Sequence, residues 1–144
     1  MYKLYPIEVA KNKIGEKVLI AGICIERNDY ILIDDGTETI KCYPRKADVD
    51  IGDYVLVAGK VGEDIIFVDG MGKISKQLYE YLKEHIEQED RDLRNKILEY
   101  IDINDGATLE QIVKVFGEEA KKHIQKLLAR GEIYEYEPGK FKKI

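Results

Sequence analysis

The sequence predicts an α+β chain in which a small closed β-sheet is followed by helices. Three observations carry that reading. Five short runs rich in β-branched and aromatic residues crowd into residues 16–72, separated by Gly, Asp, Asn and Pro. Between two of them, Asp34-Asp35-Gly36-Thr37 forms a tight turn, where Gly supplies the positive φ that such turns need. From Ser75 onward the apolar pattern changes from alternation to a helical period. So many short strands in so little chain suit a closed or nearly closed five-stranded barrel, which hides its edges.

The elements follow in order. Residues 1–15 lead in, with Tyr2, Leu4 and Tyr5 expected to seal the barrel bottom or pair with an edge. Lys17–Ile25 is the first strand, and Gly22 within it relieves crowding where the strand bends to serve both halves of the barrel. Arg27-Asn28-Asp29 turns the chain into the second strand, Tyr30–Ile33. In the third strand, Thr39–Tyr43, alternation puts Ile40 and Cys42 on the core face and Lys41 and Tyr43 outside. Pro44–Asp48 crosses to the fourth strand, Tyr54–Val61, and the fifth is Ile65–Val68. Val55, Val57, Ile66 and Val68 face inward, whereas alternation leaves Tyr54, Lys60 and Phe67 undecided.

Gln77–Glu89 has the helical spacing Leu78, Leu82, Ile86, with Lys83, Glu84 and Glu87 behind, and a second helix is expected at Leu93–Ile101. After the break at Gly106-Ala107, Thr108 and Gln111 make a capping box that starts a helix through Val115. Gly117 opens another helix, with Glu118 and Glu119 in its first turn, Arg130 near its end and Gly131 placed to close it. Ile133–Tyr136 and Lys140–Ile144 flank Glu137-Pro138-Gly139, a type II turn. Three helices and a terminal hairpin make a winged helix-turn-helix. The expected division is a barrel over 1–74, a connecting helix over 75–92 and the winged helix over 93–144.

Composition narrows the chemistry. A net charge of −5 argues against a protein that grips nucleic acid by bulk electrostatics. Residues 1–74 carry 10 Lys/Arg against 13 Asp/Glu, residues 75–94 carry 4 against 6, and residues 95–144 carry 9 against 9, so any nucleic-acid face must be a local cluster. No apolar run approaches the ~20 residues of a membrane helix, and residues 1–6 do not read as a signal peptide. Two cysteines are expected as reduced core residues. The location expected from this is the cytoplasm, with nucleoid association in a prokaryote. Cys24, Cys42, His85 and His123 are spaced by 18, 43 and 38, which fits no metal motif. There is no phosphate-binding G-x-x-x-x-G-K-[ST] loop and no nucleophile elbow, so neither a cofactor nor an enzyme is expected.

The long first strand with Gly22, the Asp35-Gly36-Thr37 turn and Ile51-Gly52-Asp53 ahead of Tyr54-Val55-Leu56-Val57-Ala58-Gly59-Lys60-Val61 resemble an OB-fold of the replication protein A type. Leu127-Leu128-Ala129-Arg130-Gly131-Glu132-Ile133-Tyr134 with Pro138-Gly139 is similar to winged helices at the ends of archaeal replication proteins. In domain order the chain resembles the middle subunit of replication protein A, or its relative at telomeres. It departs from that pattern in having no Ser/Gly-rich arm before the barrel and no long flexible linker. The resemblance implies single-stranded DNA as ligand, other subunits of such a complex as partners, and recruitment of replication or repair proteins by the winged helix.

OB-folds bind oligonucleotides on the second and third strands and between neighbouring loops, with bases on aromatic rings and cations along the phosphates. Arg27, Tyr30, Lys41, Tyr43, Arg45, Lys46 and Phe67 are the candidates for that surface. The plainer reading makes Tyr30 or Phe67 core and leaves the cations as solvation. Lys122 and Lys126, with Lys121 and Gln125, lie opposite the buried stripe Ala120, Ile124, Leu127 and Leu128. They are assigned to partner binding ahead of a DNA groove, with a solvated face as the plainer reading. Leu78, Leu82 and Ile86 either plug the barrel or pair with other subunits, as the helix after the barrel does in replication protein A. Two other functions stay open: a protein–protein adaptor with little nucleic-acid binding, and an RNA-binding OB module.

Overall fold

The structure, a computed structural model, describes residues 1–144. The chain divides into two compact units, Met1–Ile86 and Glu87–Ile144.

The first unit is a closed barrel. Its strands are β1 (Lys3–Leu4), β2 (Lys17–Arg27), β3 (Ile31–Asp34), β4 (Thr39–Tyr43), β5 (Tyr54–Gly62) and β6 (Ile65–Lys73). They run in the order β1-β2-β3-β4-β6-β5, and β2 pairs again with β5 to close the sheet. β2 does this by serving two partners: Lys17–Ile23 pair with Lys60–Tyr54, and Ile23–Arg27 pair with Asp34–Ile31. Gly22 sits where those pairings hand over. A Cβ there would lie 2.7 Å from the Asp34 carbonyl oxygen and 2.5 Å from Ile33 Cγ2, so only glycine allows β3 to approach this closely.

Alternation decides the interior. Ile20, Ile31, Ile33, Ile40, Val55, Val57 and Ile66 are essentially inaccessible, and each aliphatic side chain so buried contributes about 1.5–3 kcal/mol. Cys24 and Cys42 lie among them as free thiols. Burial pushes the Cys42 thiol up to about 12. The barrel end is filled from the lead-in: Ile7 and Ala10 of a short helix, α1 (Ile7–Ala10), are fully buried in the same core. The Asp-Asp-Gly-Thr turn anchors this helix as well as reversing the chain. Asp35 Oδ2 accepts from the Ile7 N–H at 2.8 Å, while its Oδ1 accepts from the Thr37 N–H at 2.9 Å.

A single helix, α2 (Lys76–Ile103), occupies the place where two were expected. Nothing in Glu87–Asp92 breaks it, since the segment lacks Gly and Pro and consists of residues that tolerate a helix. Ser75 Oγ accepts from the Leu78 N–H at 3.1 Å to start it, and Tyr79 packs on Tyr54 with ring centroids 4.8 Å apart.

In the second unit, the end of α2 is followed by β7 (Ala107–Thr108), α3 (Leu109–Phe116), α4 (Ala120–Ala129), β8 (Ile133–Glu137) and β9 (Lys140–Lys143). The strands form a sheet in the order β7-β9-β8. Thr108 and Gln111 make the reciprocal capping box at 3.1 and 2.9 Å. α4 closes on Gly131 at φ 71, with the Glu132 N–H bonded to the Leu127 carbonyl and the Gly131 N–H to the Leu128 carbonyl. Ile97, Ile101, Ile112, Ile124, Leu127 and Phe141 form the core.

The expected stripe on α4 needs one correction. Leu128 is exposed and His123 takes the inner position, only 2% exposed. Asp90 Oδ1 lies 3.2 Å from its Nε2, which therefore carries the proton, and Nδ1 has no hydrogen-bond partner. Burial lowers the imidazole pKa. Asp90 opposes this, while Lys126, Arg94 and Lys122 act with it. The unfolded chain therefore takes up a proton near pH ~6.5 that the folded chain resists. Stability is full above that pH and declines below it. The melting temperature is expected to fall between about pH 7 and 5.5, and to fall less in His123→Gln, whose amide still donates to Asp90.

Candidate nucleic-acid interface

The outer face of β3, β4, β6 and β5 gathers the sequence-predicted residues unequally. β4 runs parallel to β6 with Lys41 opposite Ile65 and Tyr43 opposite Phe67. Neighbouring strands stand about 4.8 Å apart, so Tyr43 and Phe67 project side by side. Both rings are open to solvent, Tyr43 at 47% and Phe67 at 52% exposed. On the far side of β6, Phe67 pairs with the exposed Lys60 of β5. On the near side of β4, Lys41 pairs with Leu32 of β3. Two adjacent rings, with Lys60 beside Phe67 and Lys41 two residues before Tyr43 on the same strand, are thus the centre of this face.

Tyr30 is held rather than free. Its hydroxyl donates to Glu26 Oε1 at 3.0 Å, and the Lys41 ammonium stands 4.8 Å from its ring centroid. Lys41 is consequently positioned over the sheet by a cation–π contact. Arg45 and Lys46 lie exposed on the crossover after β4, and the Arg45 N–H reaches the Asp29 carbonyl at 3.3 Å. Lys46 also adds to the field that keeps the Asp69 carboxyl low, behind the Tyr2 hydrogen bond and Lys17.

Arg27 is committed elsewhere. Its Nη1 donates to Asp50 at 2.8 Å and its Nη2 to Asp48 at 2.9 Å, which ties the end of β2 to the crossover ahead of β5. Lys60 is outside the predicted set, and the β5–β6 register supplies it. The β5–β6 turn carries Glu63 and Asp64, both exposed, so negative charge bounds the face at that end.

On the second unit the cations are matched locally. Lys121 pairs with Glu118 at 2.8 Å, Lys126 with Asp90 at 3.5 Å, Lys140 with Glu137 at 3.0 Å and Lys143 with Asp102 at 3.8 Å. Lys142 stands 4.8 Å from the Tyr136 ring centroid. Lys122 is half-buried, and burial lowers its pKa. Each surface pair is weak as a source of stability, yet together they leave little net positive field for phosphates. On the first part of α2, Leu78 and Tyr81 are exposed at 41% and 65%, and Leu82 and Ile86 are half-buried.

No three His, Cys, Asp or Glu side chains converge in a way that would hold a metal ion. No helix is long and apolar enough to cross a membrane.

The sequence matches no protein-family model and no curated protein. Solved structures do resemble it. The telomere capping protein Ten1 from Saccharomyces pombe is 16% identical, with a TM-score of 0.53 over 63% of this chain and 99% of its own. A chain of the S. pombe Stn1–Ten1 complex gives the same identity and TM-score over 63% of this chain and 93% of its own. A chain of U. maydis replication protein A bound to ssDNA reaches only 0.45 over 53% of this chain, too low to carry weight. At these identities the likeness speaks to architecture alone, and with the closed β2–β6 barrel it establishes the chain as an OB-fold protein.

Proposed function

We propose that the protein is a single-stranded DNA-binding subunit of a replication protein A-like complex, acting in replication, repair or recombination. The observation that carries this reading is the pair of half-exposed rings, Tyr43 and Phe67, on adjacent strands, with Lys60 beside Phe67 and Lys41 next along the strand of Tyr43. Bases stack on such rings whatever their sequence, and lysines at the margin take the phosphates. Few cations serve the face and acidic residues bound it, so the affinity is modest and the strand is shared with partner subunits. Titration of labelled oligo-dT at low and moderate salt tests this. Saturable binding, lost as salt rises, is expected; no binding with or without its co-purifying partners would sink the proposal. A matched RNA oligomer in the same assay decides the sugar preference.

The second unit is assigned as a winged helix that recruits proteins rather than DNA, because its lysines are matched by carboxylates at short range. Leu78, Leu82 and Ile86 are assigned to the contact with other subunits. The exposed Leu78 and Tyr81 beside the half-buried Leu82 support this, since a helix that served only its own core would hide them. Leu82→Asp is expected to abolish co-purification of partner subunits while oligo-dT binding by the isolated chain persists. Retained partners would remove this surface from the assignment.

A further inference from the structure

Gly62 lies on β5 opposite Ile65 of β6, next to the proposed stacking face. A Cβ placed on it would meet Phe67 Cε2 at 2.6 Å, Ile65 Cγ2 at 3.0 Å and Phe67 Cδ2 at 3.4 Å. One edge of the Phe67 ring therefore occupies the volume that the side chain of any other residue at position 62 would take. Because β6 lies between β4 and β5, a ring leaning onto Gly62 leans away from β4, the strand that carries Tyr43. We propose that Gly62 is a positioning residue: it parks the Phe67 ring over β5 and so keeps the gap between Phe67 and Tyr43 open as the seat of one base.

This inference rests on the nucleic-acid reading for its purpose, but the ring contact itself does not. Glycine inside a strand carries an entropic cost and offers no side chain to pack, so close approach by a neighbour is the usual reason for it. The neighbour here is the free end of a side chain. Adding a methyl at position 62 turns the ring and leaves the backbone in place. Gly59, two residues in sequence before Val61, shows the opposite case, because a Cβ there meets the Phe67 carbonyl oxygen at 2.4 Å. Residue 62 thus sets the angle of the ring without setting the fold.

The experiment has three arms. Gly62→Ala is expected to weaken oligo-dT binding about five- to tenfold with no loss of melting temperature, a fraction of what a whole stacked base contributes. In a Phe67→Ala background the same glycine substitution is expected to change affinity by less than about twofold, since the ring it acts through is gone. The third arm uses the free protein. The chain contains no tryptophan, so Phe67→Trp introduces a single indole whose emission and acrylamide quenching report its packing. Adding Gly62→Ala is expected to shift both. Equal oligo-dT affinity of Gly62→Ala and wild type overturns the proposal, as does an equal loss in the Phe67→Ala background. If wild type binds no oligo-dT at all, the functional reading fails by itself. The indole then decides the positioning claim alone, and an emission unmoved by Gly62→Ala overturns it.

Discussion

Replacing Tyr43 and Phe67 together with alanine is expected to weaken oligo-dT binding by about a hundredfold while the protein stays folded. Each stacked base is worth ~1–3 kcal/mol to an aromatic platform, and two rings together reach that range even when their contributions do not add fully. The fold tolerates the loss because both rings are about half exposed and neither belongs to the barrel core. Melting temperature within a degree or two of wild type, measured beside fluorescence anisotropy, separates a lost platform from a lost fold. Lys41→Ala in the same assay probes a different term. If Lys41 takes a phosphate as proposed, the slope of log affinity against log salt should become shallower by about 0.7, the value for one single-strand phosphate. A double alanine variant that binds as tightly as wild type would leave this face without a role in nucleic-acid binding.

How much of this was legible in the sequence depends on the range of the interaction concerned. Alternation is a local signal, and it placed Ile40 and Cys42 inside with Lys41 and Tyr43 outside, as the structure has them. Caps and turns are local too: Thr108 with Gln111, and Gly131 after Arg130, could be read directly. What sequence missed was set by distant partners. Arg27 looked like a free cation until the crossover brought Asp48 and Asp50 to it, 21 and 23 residues away. The helix that fills the barrel end, Ile7–Ala10, is too short for any periodicity to show. A polar side chain keeps His123 out of a stripe read from sequence, whereas Asp90 on α2 makes the buried imidazole tolerable. Asp90–Asp92, between the expected helices Gln77–Glu89 and Leu93–Ile101, is helical as well, because a helix needs no apolar face along a stretch that remains largely in water.

The facing of the residues after Val68 also depends on a non-local feature. Along β6 the pairing with β5 shifts between Ala58 and Gly59: Ala58 faces Gly70, whereas Gly59 faces Val68, leaving Asp69 as the extra residue. A bulge of this kind resets which side chains face out, which no count along β6 alone could anticipate. Before it, Ile66 and Val68 point inward and Phe67 outward; after it, Met71 turns to the core. The bulged Asp69 is held from outside the barrel by the Tyr2 hydroxyl at 2.5 Å and by Lys17 at 3.6 Å.

Gly59→Ala is therefore expected to be the most damaging methyl that can be added to the barrel. The new Cβ would stand 2.4 Å from the Phe67 carbonyl oxygen and 2.5 Å from Ile66 Cγ2, and the first of these is backbone in a closed sheet. Relief requires β5 and β6 to separate, which breaks ladder hydrogen bonds and opens the seam beside Ile66 and Val61, both buried. Overpacking of this kind costs roughly 1–3 kcal/mol, and broken backbone bonds take it to the upper end or beyond. A unit of this size should then melt about 10–20 °C lower. Gly70→Ala is the matched control on the next strand, because its added Cβ meets nothing within 4 Å and its backbone needs no positive φ. It should melt at or slightly above the wild-type temperature. Should Gly59→Ala melt with the control, β5 and β6 are not packed as tightly at this point as the register requires.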